Sequence, residues 1–473
     1  MNRYFTDRPK TLRSSRVPSS RLGRLFHYGG LAAGLSWGTA SEALRRTSGM
    51  GSSCGDSQNS LLLSEANVRR LVDKLTKMRG AALKLGQFMS IQDAKILPPQ
   101  IEEIFVKVQN TADYMPLWQT EQVMKQELGT DWRHRFLKFS DKPLAAASIG
   151  QVHSAQAIDP ITKQPIELAI KVQFPGVFES IHSDLSYLSI LASSSAILPK
   201  GLFLSNTLKV LGQELKDECD YRREAWCMGM MSRFLEDDSR FKVPRVIDQL
   251  STGMVLSMEM MRGTPLTRAA QWPQHLRDQI GRDILQLCLR EIFQFRLMQT
   301  DPNWTNFLWN EESKQIELID FGATREYSER FVEEYIKLLQ SGVNDNREDC
   351  VVWSEKIGYF TGHESKEMQD AHFRSLSALG EPFRAKAGPY DFATQTVTDR
   401  VRAEVPLMIR ERLTPPPIET YSLNRKLSGA FLLCSRLGSQ IDCHQLLQTV
   451  LQDREKWKGP TGLRQQRSLG VGC

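Results

Sequence analysis

The sequence predicts an α+β protein with a helical extension in front of it and an N-terminal segment of different character. Three observations lead there. Short apolar runs punctuated by Gly, Pro and Asn cluster between residues 143 and 320. Apolar residues at spacings of three and four recur before them, from Ser64, and after them, as far as Leu433. The first 60 residues share neither pattern.

Composition sets the outer limits. With 473 residues, 41% apolar and 25% charged, the chain can bury a sizeable core over two or three domains. The net charge is +6, but residues 1–50 alone carry +7, from nine basic residues and the two acids Asp7 and Glu42. The remainder is therefore close to neutral, and nucleic-acid binding loses its electrostatic basis. None of the eight cysteines forms a Cys-x-x-Cys pair, and several sit in apolar helical runs, such as Cys288. They read as reduced structural thiols, with no zinc site.

Residues 1–24 are rich in Arg and Ser and nearly free of acid, which suits a mitochondrial import sequence; a disordered basic tail is the alternative. Leu25–Ser41 carries no charge. Gly30, Gly34 and Gly38 recur there every four residues, a flat strip that lets two membrane helices approach. We expect a membrane span or an embedded helix, with possible dimerisation through the strip; a Gly-rich linker is the alternative. Residues 47–60 read as flexible linker.

From Ser64 the stripe Leu71, Leu75, Met78, Ala82, Leu85, Met89 predicts an amphipathic helix with Arg70, Lys74, Lys77 and Lys84 opposite. Gly86 costs that helix about 1 kcal/mol relative to Ala, so it suggests a close approach or an end. After Pro98-Pro99, helix is expected over Ile101–Gln109 and Trp118–Leu128.

Ala145-Ala146-Ala147-Ser148-Ile149-Gly150-Gln151-Val152 reads as strand, tight turn, strand, whose small residues let backbone N–H groups approach phosphate oxygens. Glu167–Val172 reads as a buried strand bearing Lys171. A lysine buried in such a run needs an anionic partner, whereas on an edge it would face solvent. Glu218–Glu224 reads as a helical acidic patch able to supply that partner. Met254–Met258 is a strand leading through Glu259 and Met261 to a hinge. A helix with Ile284, Cys288, Ile292 and Phe295 on one face follows.

Next come Asp301-Pro302-Asn303-Trp304-Thr305-Asn306, a hairpin (Phe307–Trp309 and Gln315–Ile319) and Asp320-Phe321-Gly322. Asp and Asn five apart on a loop can put one oxygen near a transferred phosphoryl group and another on a metal. Asp320, just past an apolar strand, can bind magnesium at the phosphates. The tripeptide alone is weak; with the upstream Asp-x4-Asn, the strand lysine and the small-residue loop, in this order, it is specific. Arg325–Leu339 then reads as helix, with no long activation segment. Pro415-Pro416-Pro417 breaks the chain before a helix over Tyr421–Leu433, whose charges read as an ordinary solvated face.

Together, Lys84-Leu85-Gly86-Gln87, the alanine-rich loop, Glu218-Cys219-Asp220 and Gln299-Thr300-Asp301-Pro302-Asn303 resemble the UbiB family, also called ADCK or aarF-domain kinases, in its mitochondrial coenzyme Q branch. The resemblance covers roughly residues 65–455. It implies a two-lobed protein-kinase-like fold that binds ATP (or ADP) with Mg2+. Lys171 would meet the α- and β-phosphates beneath a loop of Ala145, Ala146, Ala147 and Ser148, with Glu259 and Met261 in the ATP-binding hinge. Glu224 would be the ion-pair partner of Lys171, Asp301 the catalytic base, and Asn306 and Asp320 the metal ligands. Lys84, Gly86 and Gln87 would cover the site, held by Glu218 and Asp220.

The implied organisation is a targeting segment (1–24), a transmembrane helix (25–41), a linker (42–60) and the helical extension (61–139). An N-lobe (140–262), a C-lobe (263–458) and a tail (459–473) complete it. The implied role is ATPase or small-molecule/lipid kinase activity in ubiquinone biosynthesis, on the matrix side of the inner membrane. A nucleotide-gated scaffold for biosynthetic enzymes or lipid precursors is the alternative. Departures from ordinary protein kinases argue against phosphorylating proteins in trans. Alanines replace the loop glycines, Gln299-Thr300 stands where His-Arg is usual, and Glu224 lies 53 residues beyond Lys171.

Overall fold

The structure, a computed structural model, describes residues 114–193, 203–386, 388–457 and 459. The targeting segment, the expected membrane helix with Gly30, Gly34 and Gly38, and the stretch with Lys84, Gly86 and Gln87 lie outside these. Among the described residues no helix is long and apolar enough to cross a membrane. The described chain forms two compact units. The first takes the chain to Ile190 and then Asp248–Ser257; the second takes Leu191–Ile247 and everything from Met258 onward.

The first unit begins with helix α1 (Leu117–Leu128), close to the expected Trp118–Leu128. Strands β1 (Lys138–Phe139), β2 (Ala145–Ala146), β3 (Gly150–Ile158) and β4 (Pro165–Gln173) follow. They form a five-stranded sheet in the order β1-β3-β4-β6, with β2 also on β3; β6 is Val255–Glu259. The Gln151 side chain ties α1 to this sheet: it accepts from Met115 N (2.8 Å) and donates to the Thr120 hydroxyl (3.1 Å). It also bonds His153 (2.8 Å), whose other ring nitrogen meets Ser140 O (2.7 Å). Burial pushes the His153 pKa down, which keeps this knot uncharged. Helix α2 (Val177–Ser193) leaves the sheet.

In the second unit, helix α3 (Leu204–Glu218) gives way to helix α4 (Tyr221–Phe234). The expected helical patch Glu218–Glu224 is corrected here: one helix ends at Glu218 and another starts at Tyr221. Asp220 has extended backbone angles, and its carboxylate accepts from Arg222 N (3.0 Å) and Arg223 N (3.3 Å). It is the N-cap of a new helix, which satisfies donors a helix start leaves open. Strand β5 (Phe241–Lys242) pairs in parallel with β10 (Gln315–Leu318), which pairs antiparallel with β9 (Phe307–Asn310). That strand in turn meets β7 (Thr264–Pro265). Helix α5 (Gln274–Arg290) runs into a π-helical turn, Glu291–Phe295. Arg296, in the left-handed region at φ 55°, ends that turn and starts β8 (Leu297–Gln299).

A second correction concerns the segment after Gly322. Instead of helix from Arg325, Thr324–Glu326 is strand β11, paired with β8 through Thr324 opposite Gln299. Helix α6 begins only at Glu329 (Glu329–Val343), because the Ser328 hydroxyl caps Phe331 N at 3.2 Å. Helices α7 (Arg347–Ile357), α8 (Lys366–Gly380) and α9 (Val397–Glu411) follow. Next are α10 (Ile418–Leu437) and α11 (Cys443–Lys456). Their apolar faces form one core that includes Leu289, Phe293, Tyr335, Phe383 and Phe431. All six cysteines among the described residues are buried and free, as structural thiols should be.

Candidate functional site

In the first unit, the antiparallel ladder sets Ala145 opposite Val152, and Val152 opposite Lys171. Direct partners across an antiparallel ladder share a face, so Ala145 and Lys171 lie on one side of the sheet. The turn between the strands is tight, with Ala147 N donating to Gly150 O at 2.8 Å, and Ala146, Ala147 and Ser148 remain half-buried. Lys171 itself is buried on β4, between Ile170 and Val172. A charged lysine there requires compensation.

In the second unit, the Asp301 loop and the Asp320 segment are joined by the β9–β10 hairpin. Asn306 immediately precedes β9, and its carbonyl accepts from Ile319 N at 3.2 Å, next to Asp320. Its side-chain Nδ2 donates to Asp301 Oδ2 at 3.1 Å, while Asp301 Oδ1 accepts from Asn303 N at 3.2 Å. The amide oxygen of Asn306 takes no part in that bond. Asp320 Oδ1 accepts from Gly322 N at 3.1 Å. Two hard oxygen ligands, an amide carbonyl and a carboxylate, are a donor set that suits magnesium completed by phosphates and water. Among the described residues no group of three or more His, Cys, Asp or Glu could hold a metal ion.

Glu224 and Glu218 reach the same segment. Phe321 N donates to Glu224 Oε1 at 3.4 Å. A methyl at Gly322 would stand 3.4 Å from Glu224 Oε2 and 3.6 Å from the Glu218 Cγ. The Arg223 guanidinium donates to the Gly322 and Thr324 carbonyls, and Asp217 pairs with Arg325. Helices α3 and α4 thus clamp the stretch from Phe321 to Arg325. Glu259 points elsewhere: its carboxylate accepts from Arg245 N (3.4 Å) and lies 3.6 Å from the Lys242 ammonium. Met261 follows β6, half-buried.

Sequence reasoning missed a layer of buried charge behind the Asp301 loop, and the reading of α10 as a solvated face is corrected. Arg425 is buried and makes two bonds to the Glu214 carboxylate (2.9 and 3.2 Å). It also donates to Thr300 Oγ1 (3.3 Å) and the Thr300 carbonyl (3.4 Å). Burial opposes its charge, but Glu214, and then Asp301 and Glu218, more than compensate and raise its pKa. Lys426, one residue on, donates to Gln299 Oε1 at 3.0 Å and pairs with buried Glu291 at 3.3 Å. Burial pushes the Glu291 carboxyl up to about 7, against the pull of Lys426. An Arg-Lys pair in a helix carries no local mark of burial; only the apolar neighbours Leu423, Leu427 and Phe431 hint at it.

Residues 107–354 match the ABC1 atypical kinase-like domain. "Atypical kinase COQ8, mitochondrial" of Saccharomyces cerevisiae is 46% identical over 449 residues, covering 95% of this chain and 88% of that protein. "Atypical kinase COQ8B, mitochondrial" of Danio rerio is 46% identical over 436 residues, covering 92% and 69%. A solved Mycobacterium tuberculosis structure, the complex of Rv3197 with erythromycin, aligns at a TM-score of 0.55 and 24% identity. It covers 82% of this chain and 96% of that one, a likeness of fold. This chain therefore belongs to the ABC1 atypical kinase-like family, with the COQ8 atypical kinases among its relatives.

Proposed function

We propose that the chain binds ATP or ADP with magnesium and uses it to support coenzyme Q (ubiquinone) biosynthesis, as an ATPase or a small-molecule/lipid kinase. The relatives' names support the mitochondrial setting; the inner membrane and a matrix-facing kinase-like domain are part of the proposal. The observation that carries it is the second-unit cluster in which Asp301 and Asn306 are bonded at 3.1 Å and Asn306 is tied by its carbonyl to the residue before Asp320.

In this reading Asn306 and Asp320 would hold magnesium, which when bound would supply neutralising charge to the phosphates. Lys171, beneath Ala145–Ser148, would meet the α- and β-phosphates, with Glu224 as its expected ion-pair partner. Asp301 orients water or a substrate hydroxyl. Most of the rate gain comes from positioning and from charges fixed in advance. As part of the proposal, Lys84, Gly86 and Gln87 would cover the site, held by Glu218 and Asp220, and Gly30, Gly34 and Gly38 would support pairing at the membrane. Protein phosphorylation in trans is disfavoured, because β11 and α6 follow Gly322 directly, with no long activation segment among the described residues.

The scaffold reading without turnover is favoured by one observation: both Asp301 oxygens are engaged, by Asn303 N and by Asn306. Phosphate release by the full chain in vesicles of inner-membrane lipids, compared with Asp320→Asn, separates the two. We expect release to fall at least about a hundredfold in the variant. Equal release from both proteins sinks the enzymatic reading. Ala146→Gly is expected to change affinity or selectivity between ATP and ADP; unchanged binding of both removes the phosphate-loop role.

A further inference from the structure

We propose that helix α10 is the template that sets the Asp301 loop, and that Lys426 is a positioning residue acting on both ends of it. Three contacts fall on one face of the helix. Lys426 Nζ takes Gln299 Oε1 at 3.0 Å, two residues before Asp301. The same ammonium lies 5.2 Å from the ring centre of Phe307, the residue after Asn306. Gly429, one turn further, faces Pro302 so closely that no side chain would fit between them. Lys426 therefore brackets the segment from Asp301 to Asn306 at its entry and its exit, while Gly429 supports its middle.

The device is costly, which is the argument for a role. Lys426 is 3% exposed and Glu291 1%. Desolvating both charges takes back much of what their attraction returns, and apolar residues of similar volume would hold a core at least as well. What they would not do is grip an amide oxygen at 299 and an aromatic face at 307 from one point. Gln299 and Thr300, the departure from the usual His-Arg before the catalytic Asp, become intelligible: each is held by one of the consecutive cations Lys426 and Arg425.

This inference rests on the nucleotide-using reading above, and its test separates the two. The variant is Lys426→Met/Glu291→Leu, which removes both buried charges and leaves neither unpaired. In the full chain in vesicles, melting temperature, magnesium-ATP affinity and saturating phosphate release are measured beside Asp320→Asn. Hydrogen exchange of the peptide spanning 299–307 is followed in the same proteins.

We expect near-native melting and nucleotide affinity, a turnover lower by at least about tenfold, and exchange in that peptide faster by a similar factor. Turnover unchanged in a folded variant overturns the inference. So does a parallel fall of affinity, turnover and melting temperature, which would mark the pair as structural only. If Asp320→Asn releases phosphate as the parent does, it is the enzymatic reading that fails. The positioning role then stands or falls on the exchange of the 299–307 peptide alone. Glu291→Gln/Gln299→Glu, which moves the carboxylate to position 299 and keeps the Lys426 bond there, is expected to retain turnover within about threefold; a loss as large as in the apolar pair counts against Gln299 as the point of action.

Discussion

Gly429→Ala adds one methyl group, and its effect can be worked from the packing. The new Cβ would stand 2.0 Å from Pro302 Cβ, 2.9 Å from its Cγ and 3.3 Å from its Cα. Nonbonded carbons rest about 3.5–4.0 Å apart, so helix or loop must yield by roughly 1.5 Å. Neither side is soft. Gly429 lies inside α10 between buried Leu427 and Phe431, and the proline ring has fixed geometry.

Overpacking of this kind costs about 1–3 kcal/mol, which for a chain of this size lowers the melting temperature by roughly 1–5 °C. Turnover should suffer more than stability, because Pro302 follows Asp301 and a misplacement of about 1 Å is worth about a hundredfold in rate. Circular-dichroism melting and phosphate release at saturating magnesium-ATP measure the two. A variant that melts with the parent and turns over within about twofold of it would refute the claim that this contact sets the loop.

Gly229→Ala is the counterpart of opposite sign. Gly229 is exposed inside α4 with nothing within 4 Å of an added methyl, so the variant should gain roughly 0.5–1 kcal/mol, read as a raised melting temperature. Arg425→Met strands the buried Glu214 carboxylate and should cost about 3–5 kcal/mol by denaturant titration, whereas Arg425→Met/Glu214→Leu recovers most of it.

Glu291 gives a pH signature. Its folded pKa, about 7, is raised from 4.5, with Lys426 and Cys288 as charged or titratable neighbours. A raised carboxyl favours the protonated fold, so its contribution is complete below pH 4.5 and is lost as pH rises through about 7; the span is on the order of 3 kcal/mol. Melting temperatures from pH 5 to 8.5 should therefore converge on, or cross, those of Glu291→Gln as pH rises, and parallel profiles would contradict this. Burial also pushes the Cys288 and Cys443 thiols up to about 12. They should stay unlabelled by a thiol reagent at pH 8 until denaturant is added.

The sequence was legible where signals are local. The apolar run around Lys171, the small-residue turn at Ala147–Gly150 and the hairpin joining Asn306 to Asp320 are written in short windows, and they appear as β2–β4 and β9–β10. Proline likewise announced α10, since Pro417 stands at its N-terminus. The break at Asp220 was readable but overlooked: an Asp ahead of Tyr221-Arg222-Arg223 is an N-cap signal inside a stretch that otherwise reads as continuous helix. Strand β11 was not readable, because three residues have no periodicity and only the partner β8 makes Thr324–Glu326 extended. The buried cations were least legible of all. Arg425 and Lys426 look like any exposed pair, and what buries them, Glu214 and Glu291, lies far away in the chain.

That distance matters while the chain is being made. Glu214 and Arg425 are 211 residues apart, so at about 5–20 residues per second Arg425 emerges from the ribosome some tens of seconds after its partner. The chain meanwhile returns to the first unit for Asp248–Ser257 before the second resumes. The nascent second unit thus holds the Asp301 loop before the helix that sets it exists, and the loop can mature only once Ile418–Leu437 has been made. A chain cut short between Gly322 and α10 would carry Lys171, Asp301, Asn306 and Asp320 and still lack the scaffold that sets the Asp301 loop.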